Sequence, residues 1–453
     1  MKNTEHLKKY ESEMLEKLGI LVGYNTVQGE PCEGMPFGKE NAECLGAALK
    51  MADEMGFETC NMENYCGWAQ IGEGEEIIGI AAHLDVVPAG DGWNTDPFTL
   101  TQKGDTVYVR GVSDDKGAVI ASLYALKQLR DSGMPLNKRI RLIIGCNEET
   151  GSECMKYYSE HGEPISMGFT PDGDFPGIFG EKGMCALKVY SKNTSIISMN
   201  GGFVSNAVCN RCVTEIPEGS IDALLLENAL KQQPLADFTL EARDGKLIIT
   251  AFGVSAHAST PERGVNAADC TVAALRSAGF KDDFVDFYSS HLGTQCNGAG
   301  LGLGISDEYG ALTHNVGIVS TDNGVISCTV DIRYPVTFSP KDITERLQSH
   351  LEDGKGRIEI GSIVEPLFFP PDSMLVKGLH EAYIKVTGDT VNSPKVIGGG
   401  TYAKSLKGII AFGCELPNAD NHIHDANESL KTDELLLQTA IYVEAIKNLL
   451  SYR

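Results

Sequence analysis

No stretch of the sequence approaches the roughly 18 consecutive apolar residues of a membrane span, so a transmembrane protein is not expected. Basic residues are scarce beside acidic ones: Lys and Arg number 38 against 62 Asp and Glu, a net charge of −24. Such a surface repels phosphate backbones and anionic lipid, which argues against nucleic-acid and membrane-surface partners. A basic start followed by an unbroken apolar stretch, the mark of a secretory signal, is also missing. The opening residues MKNTEHLKKYESEMLEKLGILVGYNTV read instead as an amphipathic helix. The 13 cysteines are scattered along the chain, which points to neither a structural zinc cluster nor a redox motif. Without a secretory signal they imply a reducing, cytoplasmic setting, where most would serve as small core residues. Short repeats and low-complexity linkers are absent.

What is present is an ordinary globular composition, 42% hydrophobic and 22% charged over 453 residues. At about 100–200 residues per domain this predicts two or three domains, each with its own core. From Glu75 to about Gly180 apolar strands alternate with helices. Ile77–Ala82 and Ile140–Ile144 have the apolar density of strands buried on both faces, and Ala118–Leu129 has helical periodicity. This rhythm predicts an α/β domain with a mostly parallel sheet and helices on both faces. From about Tyr190 the texture changes. Asp244-Gly245 marks a hairpin, Val325–Val336 reads as a strand, and Ile221–Gln232 and Ala267–Ser277 read as helices. The α/β texture then returns with a helix at Met374–Val386, a strand at Gly408–Gly413 and a helix at Thr432–Leu450. The simplest architecture is an α/β domain of residues 1–186 and 371–453, interrupted by an inserted α+β domain of residues 187–370.

Polar clusters occur where the predicted strands end, which is where open α/β sheets bind ligands. They are His83-Leu84-Asp85, Asp114-Asp115-Lys116-Gly117, Asn147-Glu148-Glu149 and Pro171-Asp172; a fifth, His424 to Glu428, precedes the last helix. Singly, each has an ordinary reading: a capped strand end, a solvated helix start or a turn. Together they form a set of imidazoles and carboxylates of the kind that binds zinc, manganese or cobalt. Two such ions about 3.5–4 Å apart need a bridging carboxylate and separate ligands for each.

The segments HLDVVPAGDGWNTDPF, RGVSDDKG, NEETGSE, TPDGDFP, GVSAHAST and HIHDANE resemble those of the di-metal peptidases that include aminoacylase, carnosinase and succinyl-diaminopimelate desuccinylase. With GEKG and GGGTYA, the likeness extends to bacterial dipeptidases of the PepV type. The resemblance implies two divalent metal ions, zinc first and manganese or cobalt otherwise, and a small peptide substrate. It implies that Asp114 bridges the ions, with Glu149 and His424 on one and His83 and Asp172 on the other. Asp85 would accept the second ring N–H of His83 and fix its tautomer. A cis peptide between Asp114 and Asp115 is also implied, with Gly117 allowing close packing. Glu148, beside a ligand but itself free, would be the general base that takes a proton from metal-activated water and passes it to the leaving amine. The alternative is that Glu148 and Glu149 exchange roles.

The same resemblance assigns His257 to the oxyanion of the tetrahedral intermediate and gives Asn206 and Arg333 to substrate binding. Gly400 and Thr401 would lie in a loop that approaches the substrate carboxylate, unless that loop is only a flexible turn. Two points depart from or crowd the pattern. After Asn206 the chain reads Ala207-Val208-Cys209 rather than an apolar residue and proline, and His422 stands two residues from His424. The spacing from His424 to Glu428 favours His424 as the ligand; His314 and His161 receive no role. The long insert resembles a doubled lid, which favours a monomer over a homodimer and dipeptides over longer chains. The competing readings are an N-acyl amino acid deacylase or tripeptidase with the same metal site, and a non-catalytic binding protein of this fold.

Overall fold

The computed structural model describes residues 4–452. The chain divides into two compact units. The first comprises the residues up to Phe179, Phe369–Lys395 and those from Gly400 onward; the second comprises Gly180–Phe368 and Val396–Gly399. The division falls at Gly180 rather than 187 because Leu187 lies inside strand Gly183–Ser191, paired to Val330 on one side and Ile360 on the other. The short segment Val396–Gly399, which the sequence pattern placed with the α/β domain, belongs to the second unit.

In the first unit, strand Ile77–His83 is buried along its whole length, as an apolar run covered on both faces requires. It lies at the parallel centre of a mixed sheet, between Arg139–Gly145 and Met167–Thr170, with Ile409–Ala411 beyond. Antiparallel strands flank this centre. Cys66–Ile71 and Glu58–Met62 lie on one side, and Ile178 pairs with Ala411 on the other. Helices Lys116–Asp131 and Thr432–Ser451 pack on each other and on Ile77–His83, while Lys39–Glu54 and Glu153–His161 pack against Cys66–Ile71. A small separate sheet pairs Ser429–Lys431 with Thr106–Tyr108. It brings the His424 loop beside the turn that carries Asp114.

The second unit is an eight-stranded sheet with antiparallel pairing between neighbours. Burial alternates along Gly183–Ser191 and Arg211–Pro217, so each strand presents one face to the core. The core is closed by helices including Ala223–Lys231, Ala267–Ser277 and Asp283–His291, each started by a side-chain cap from Asp222, Asn266 or Asp282. The Asp244-Gly245 hairpin forms with both residues at positive φ (54° and 71°), as a tight two-residue turn demands. Among the described residues no two cysteines are bonded, and ten of the 13 are buried.

Candidate metal centre

Parallel pairing aligns His83 with Gly145, so His83, the Asn147–Glu149 turn and Asp172 all emerge at the carboxyl ends of neighbouring strands. Asp114 enters from the turn before helix Lys116–Asp131, and His424 from the loop before Ser429. These side chains form two groups that share Asp114: His83, Asp114 and Asp172, and Asp114, Glu149 and His424. Within each group the candidate ligand atoms lie within 4.8 Å of one another. The carboxylate of Asp114 divides between them. Its Oδ1 is 2.9 Å from His83 Nε2, and its Oδ2 is 2.8 Å from His424 Nε2. Asp172 Oδ2 stands 4.0 Å from His83 Nε2, and Glu149 Oε1 3.2 Å from His424 Nε2.

The donor set fits a pair of divalent cations. His83 Nε2 and Asp114 Oδ1 are buried 2.9 Å apart, close enough to pair as charges but without the geometry of a hydrogen bond to each other or to any other group, an arrangement that a cation between them would satisfy. Burial disfavours charge on these groups, but their mutual pairing outweighs it. Asp114 and Glu149 hold the His424 imidazole up at about 11, and Asp114 and Asp85 raise His83 well above its ordinary value. Asp114 is held below the carboxylate range by the two histidines, against its burial.

Supporting bonds fix the ligands. The Asp114–Asp115 peptide is cis, and Asp115 Oδ2 accepts the backbone N–H of His83 at 3.1 Å. Asp85 meets His83 as expected and does more besides. His83 Nδ1 lies 3.0 Å from the Asp85 backbone carbonyl and 3.4 Å from its Oδ1, while the carboxylate also accepts the backbone N–H groups of Glu148 (3.0 Å) and Glu149 (2.9 Å). Those two amides need acceptors in the turn, so Asp85 fixes the glutamate pair as well as orienting the histidine. With its backbone fixed, Glu148 carries a carboxyl that desolvation by the surrounding protein, and then Asp172, push well above the usual range.

The sequence pattern passed over several contributors. Glu428 served there only as a spacing mark, yet its fully buried carboxylate bonds the turn that bears Asp114. Tyr402 sets its ring edge-on to His83 at 5.9 Å and its hydroxyl 2.9 Å from Cys154 Sγ. That approach requires glycine at 145, where a Cβ would lie 2.1 Å from the Tyr402 oxygen. Gly117 is likewise needed, since a Cβ there would stand 2.0 Å from the Val112 carbonyl. The one available signal was a glycine ending an otherwise apolar strand. His422 points to Asp420 at 3.6 Å and joins neither ligand group.

The remaining candidates are distributed between the units. Gly400 and Thr401 belong to the first, where Thr401 caps the short helix Tyr402–Lys404. His257 and Asn206 belong to the second, on adjoining segments: Ala207 bridges to His257, and the Asn206 carbonyl accepts the Ala258 N–H. His257 Nδ1 lies 2.7 Å from Ser259 Oγ and accepts from Ser259 N–H at 3.2 Å, contacts that favour the ring hydrogen on Nε2 in the neutral form. Arg333 does not stand ready for a substrate carboxylate in this structure. Its guanidinium pairs with both oxygens of Asp331 (2.6 and 2.8 Å) and donates to the Gly398 carbonyl at 3.0 Å. A nearly buried arginine needs such a partner, and Asp331 supplies it two residues away.

Comparison with known proteins adds an independent line. The model of peptidase family M20/M25/M40 matches residues 79–448. A protein of Bacillus subtilis (strain 168) named "Putative dipeptidase YtjP" is 35% identical over 433 residues, with 92% of each chain covered. One of Staphylococcus haemolyticus (strain JCSC1435) named "Putative dipeptidase SH1171" is 31% identical with 98% of each covered. Human carnosine dipeptidase 1 matches in fold with a TM-score of 0.58 at 15% identity, over 100% of this chain and 98% of its own. A Bacillus subtilis protein described as a dinuclear metal binding peptidase matches with a TM-score of 0.50 at 10% identity, over 98% of this chain and 99% of its own.

Proposed function

Because the chain belongs to peptidase family M20/M25/M40, we propose that it is a metal-dependent dipeptidase built on two divalent ions. His83 and Asp172 would hold one, Glu149 and His424 the other, and Asp114 both. The observation that carries this reading is the division of the Asp114 carboxylate between the two histidines, one oxygen to each. The relatives named as dipeptidases align along nearly the whole chain, which supports dipeptides as the substrate class.

Ions held there would polarise the scissile carbonyl and acidify the attacking water. The protein's own part is to move the proton and hold the geometry. Glu148 is the proposed general base. Its amide is tied to Asp85, and the raised affinity of its carboxyl for a proton suits a group that takes one from water and returns it to the leaving nitrogen. In the second unit His257 is the proposed oxyanion donor, with its Nε2 hydrogen favoured by the Ser259 contacts. Asn206 and the Gly400-Thr401 backbone are the proposed substrate contacts. Arg333 would act through the Gly398 carbonyl that it holds. Zinc is the first choice of ion, since imidazole and carboxylate suit it, with manganese or cobalt as alternatives. The 13 cysteines without a bonded pair among the described residues support a reducing, cytoplasmic setting. A monomer is the proposed state.

The test is hydrolysis of a panel of dipeptides, tripeptides and N-acyl amino acids by metal-free protein reloaded with zinc, manganese or cobalt. Metal-dependent cleavage confined to dipeptides is the expected result. Cleavage of N-acyl amino acids alone would keep the metal centre and overturn the substrate class.

A further inference from the structure

We infer that Glu428, seconded by Arg110, is a positioning residue that joins the two halves of the centre, holding the bridging Asp114 and His424 at the spacing the Glu149 side requires. The inference rests on the two-ion reading above. Glu428 has no surface exposure and Arg110 only 1%. The Glu428 carboxylate accepts four hydrogen bonds, all from one turn. Oε2 takes Arg110 (2.8 Å) and the amide of Gly111 (2.9 Å); Oε1 takes the amides of Ser113 (2.9 Å) and Asp114 (3.1 Å). Backbone amides that converge on one anion form a nest, and here the anion is the protein's own side chain.

These bonds close a ring. From the Asp114 amide the path runs to the Glu428 carboxylate, along the chain to His424, through its imidazole to Asp114 Oδ2, and so back to the same residue. His83 stands outside this ring, held by its strand and by Asp115. Arg110 steadies the nest from behind, with its guanidinium over the Trp93 ring at 5.4 Å. Two further bonds seat the same junction: Val109 N–H to the Glu428 carbonyl (3.1 Å) and Ser113 Oγ to the Ser429 carbonyl (3.0 Å). Removing the carboxylate therefore loosens the Glu149–His424 half, where both Asp114 and His424 depend on it, more than the His83–Asp172 half, which keeps two residues held independently of Glu428.

Cobalt(II) titration of the metal-free full chain, read by visible absorption and equilibrium dialysis, separates the two ions without recourse to activity. The proteins compared are the unaltered chain, Glu428→Gln, and the paired variant Arg110→Met with Glu428→Met, which buries no charge and should keep the fold. Glu428→Gln turns an amide –NH2 toward Gly111 and Arg110, so the nest cannot close. The expected result is tight binding of the first ion with an unchanged spectrum, and a second ion weakened about 10–100-fold, the usual effect of losing an outer partner of a metal ligand. The paired variant should lose the second ion as well, although it restores packing and neutrality. Normal two-ion binding by either variant overturns the inference, as does equal weakening of both ions, which is the mark of a merely structural role. An unaltered chain that binds only one ion would overturn the two-ion reading instead.

Discussion

His83 and His424 face the same carboxylate and are built in opposite ways. His83 ends a central strand, its side chain 1% exposed and its amide bonded to Asp115. His424 sits in a loop without regular structure, 53% exposed, with its backbone at φ 66° in the left-handed region that histidine rarely adopts. Holding a non-glycine residue there costs on the order of 1–3 kcal/mol, which the surroundings must supply. A ligand on a sheet inherits its position from the ladder, whereas a ligand on a loop needs dedicated bonds. Glu428 and Asn427 provide them, the latter accepting from Asn94 N–H (2.8 Å) and donating to the Gly92 carbonyl (3.2 Å).

The sharpest break in this comparison is Asp114→Ala, which removes the one residue common to both sides. Binding of both ions and all hydrolysis should be lost, as read by metal analysis and assay. Next in size is Glu148→Gln, which should lower kcat by about 10²–10⁴-fold while two ions remain bound; loss of an ion would show that Glu148 is a ligand and that the two glutamates have exchanged roles. Acidity should weaken both sides. In the metal-free protein His83 and His424 are raised, the latter to about 11, so both rings are protonated at neutral pH and an entering ion must displace those protons. Affinity should then rise with pH, roughly tenfold per unit for each proton displaced, continuing toward about 11 on the His424 side. Zinc calorimetry in buffers of different ionisation enthalpy would count the protons released; none released would contradict the pairing.

Two smaller effects set the sheet-built side against the loop-built side. Gly145→Ala drives a methyl into the Tyr402 hydroxyl and should destabilise the fold by about 1–3 kcal/mol, as overpacking does, with its metal defect on the His83 side. Asn427→Ala should cost about 1 kcal/mol or less and weaken only the His424 side. Urea unfolding and cobalt titration would read both, and a reversed assignment of the two defects would collapse the distinction.

Much of this centre was legible in the order of residues, because four of the five clusters follow predicted strands and parallel strands deliver their ends to one edge. What could not be read there depended on contacts between distant segments. Nothing local told that the Asp85 carboxylate is occupied by the amides of Glu148 and Glu149, or that Glu428 closes over a turn more than three hundred positions away. For Arg333 the family pattern offers a substrate, and what it could not tell is that the near neighbour Asp331 bonds its guanidinium. The unit boundary was displaced because composition changes gradually along a strand that the fold keeps whole.

The thiols of this protein also form a map of its breathing. Cys44, Cys66, Cys146, Cys154 and Cys414 are buried in the first unit; Cys185, Cys209, Cys212, Cys270 and Cys328 are buried in the second. An alkylating probe meets Cys32 at the surface at once. Cys60 and Cys296 are partly buried, and the probe can reach the ten buried thiols only when the structure around them opens, so their labelling rates record opening free energies site by site. With five reporters in each unit, the same experiment tells whether the two loosen together or separately.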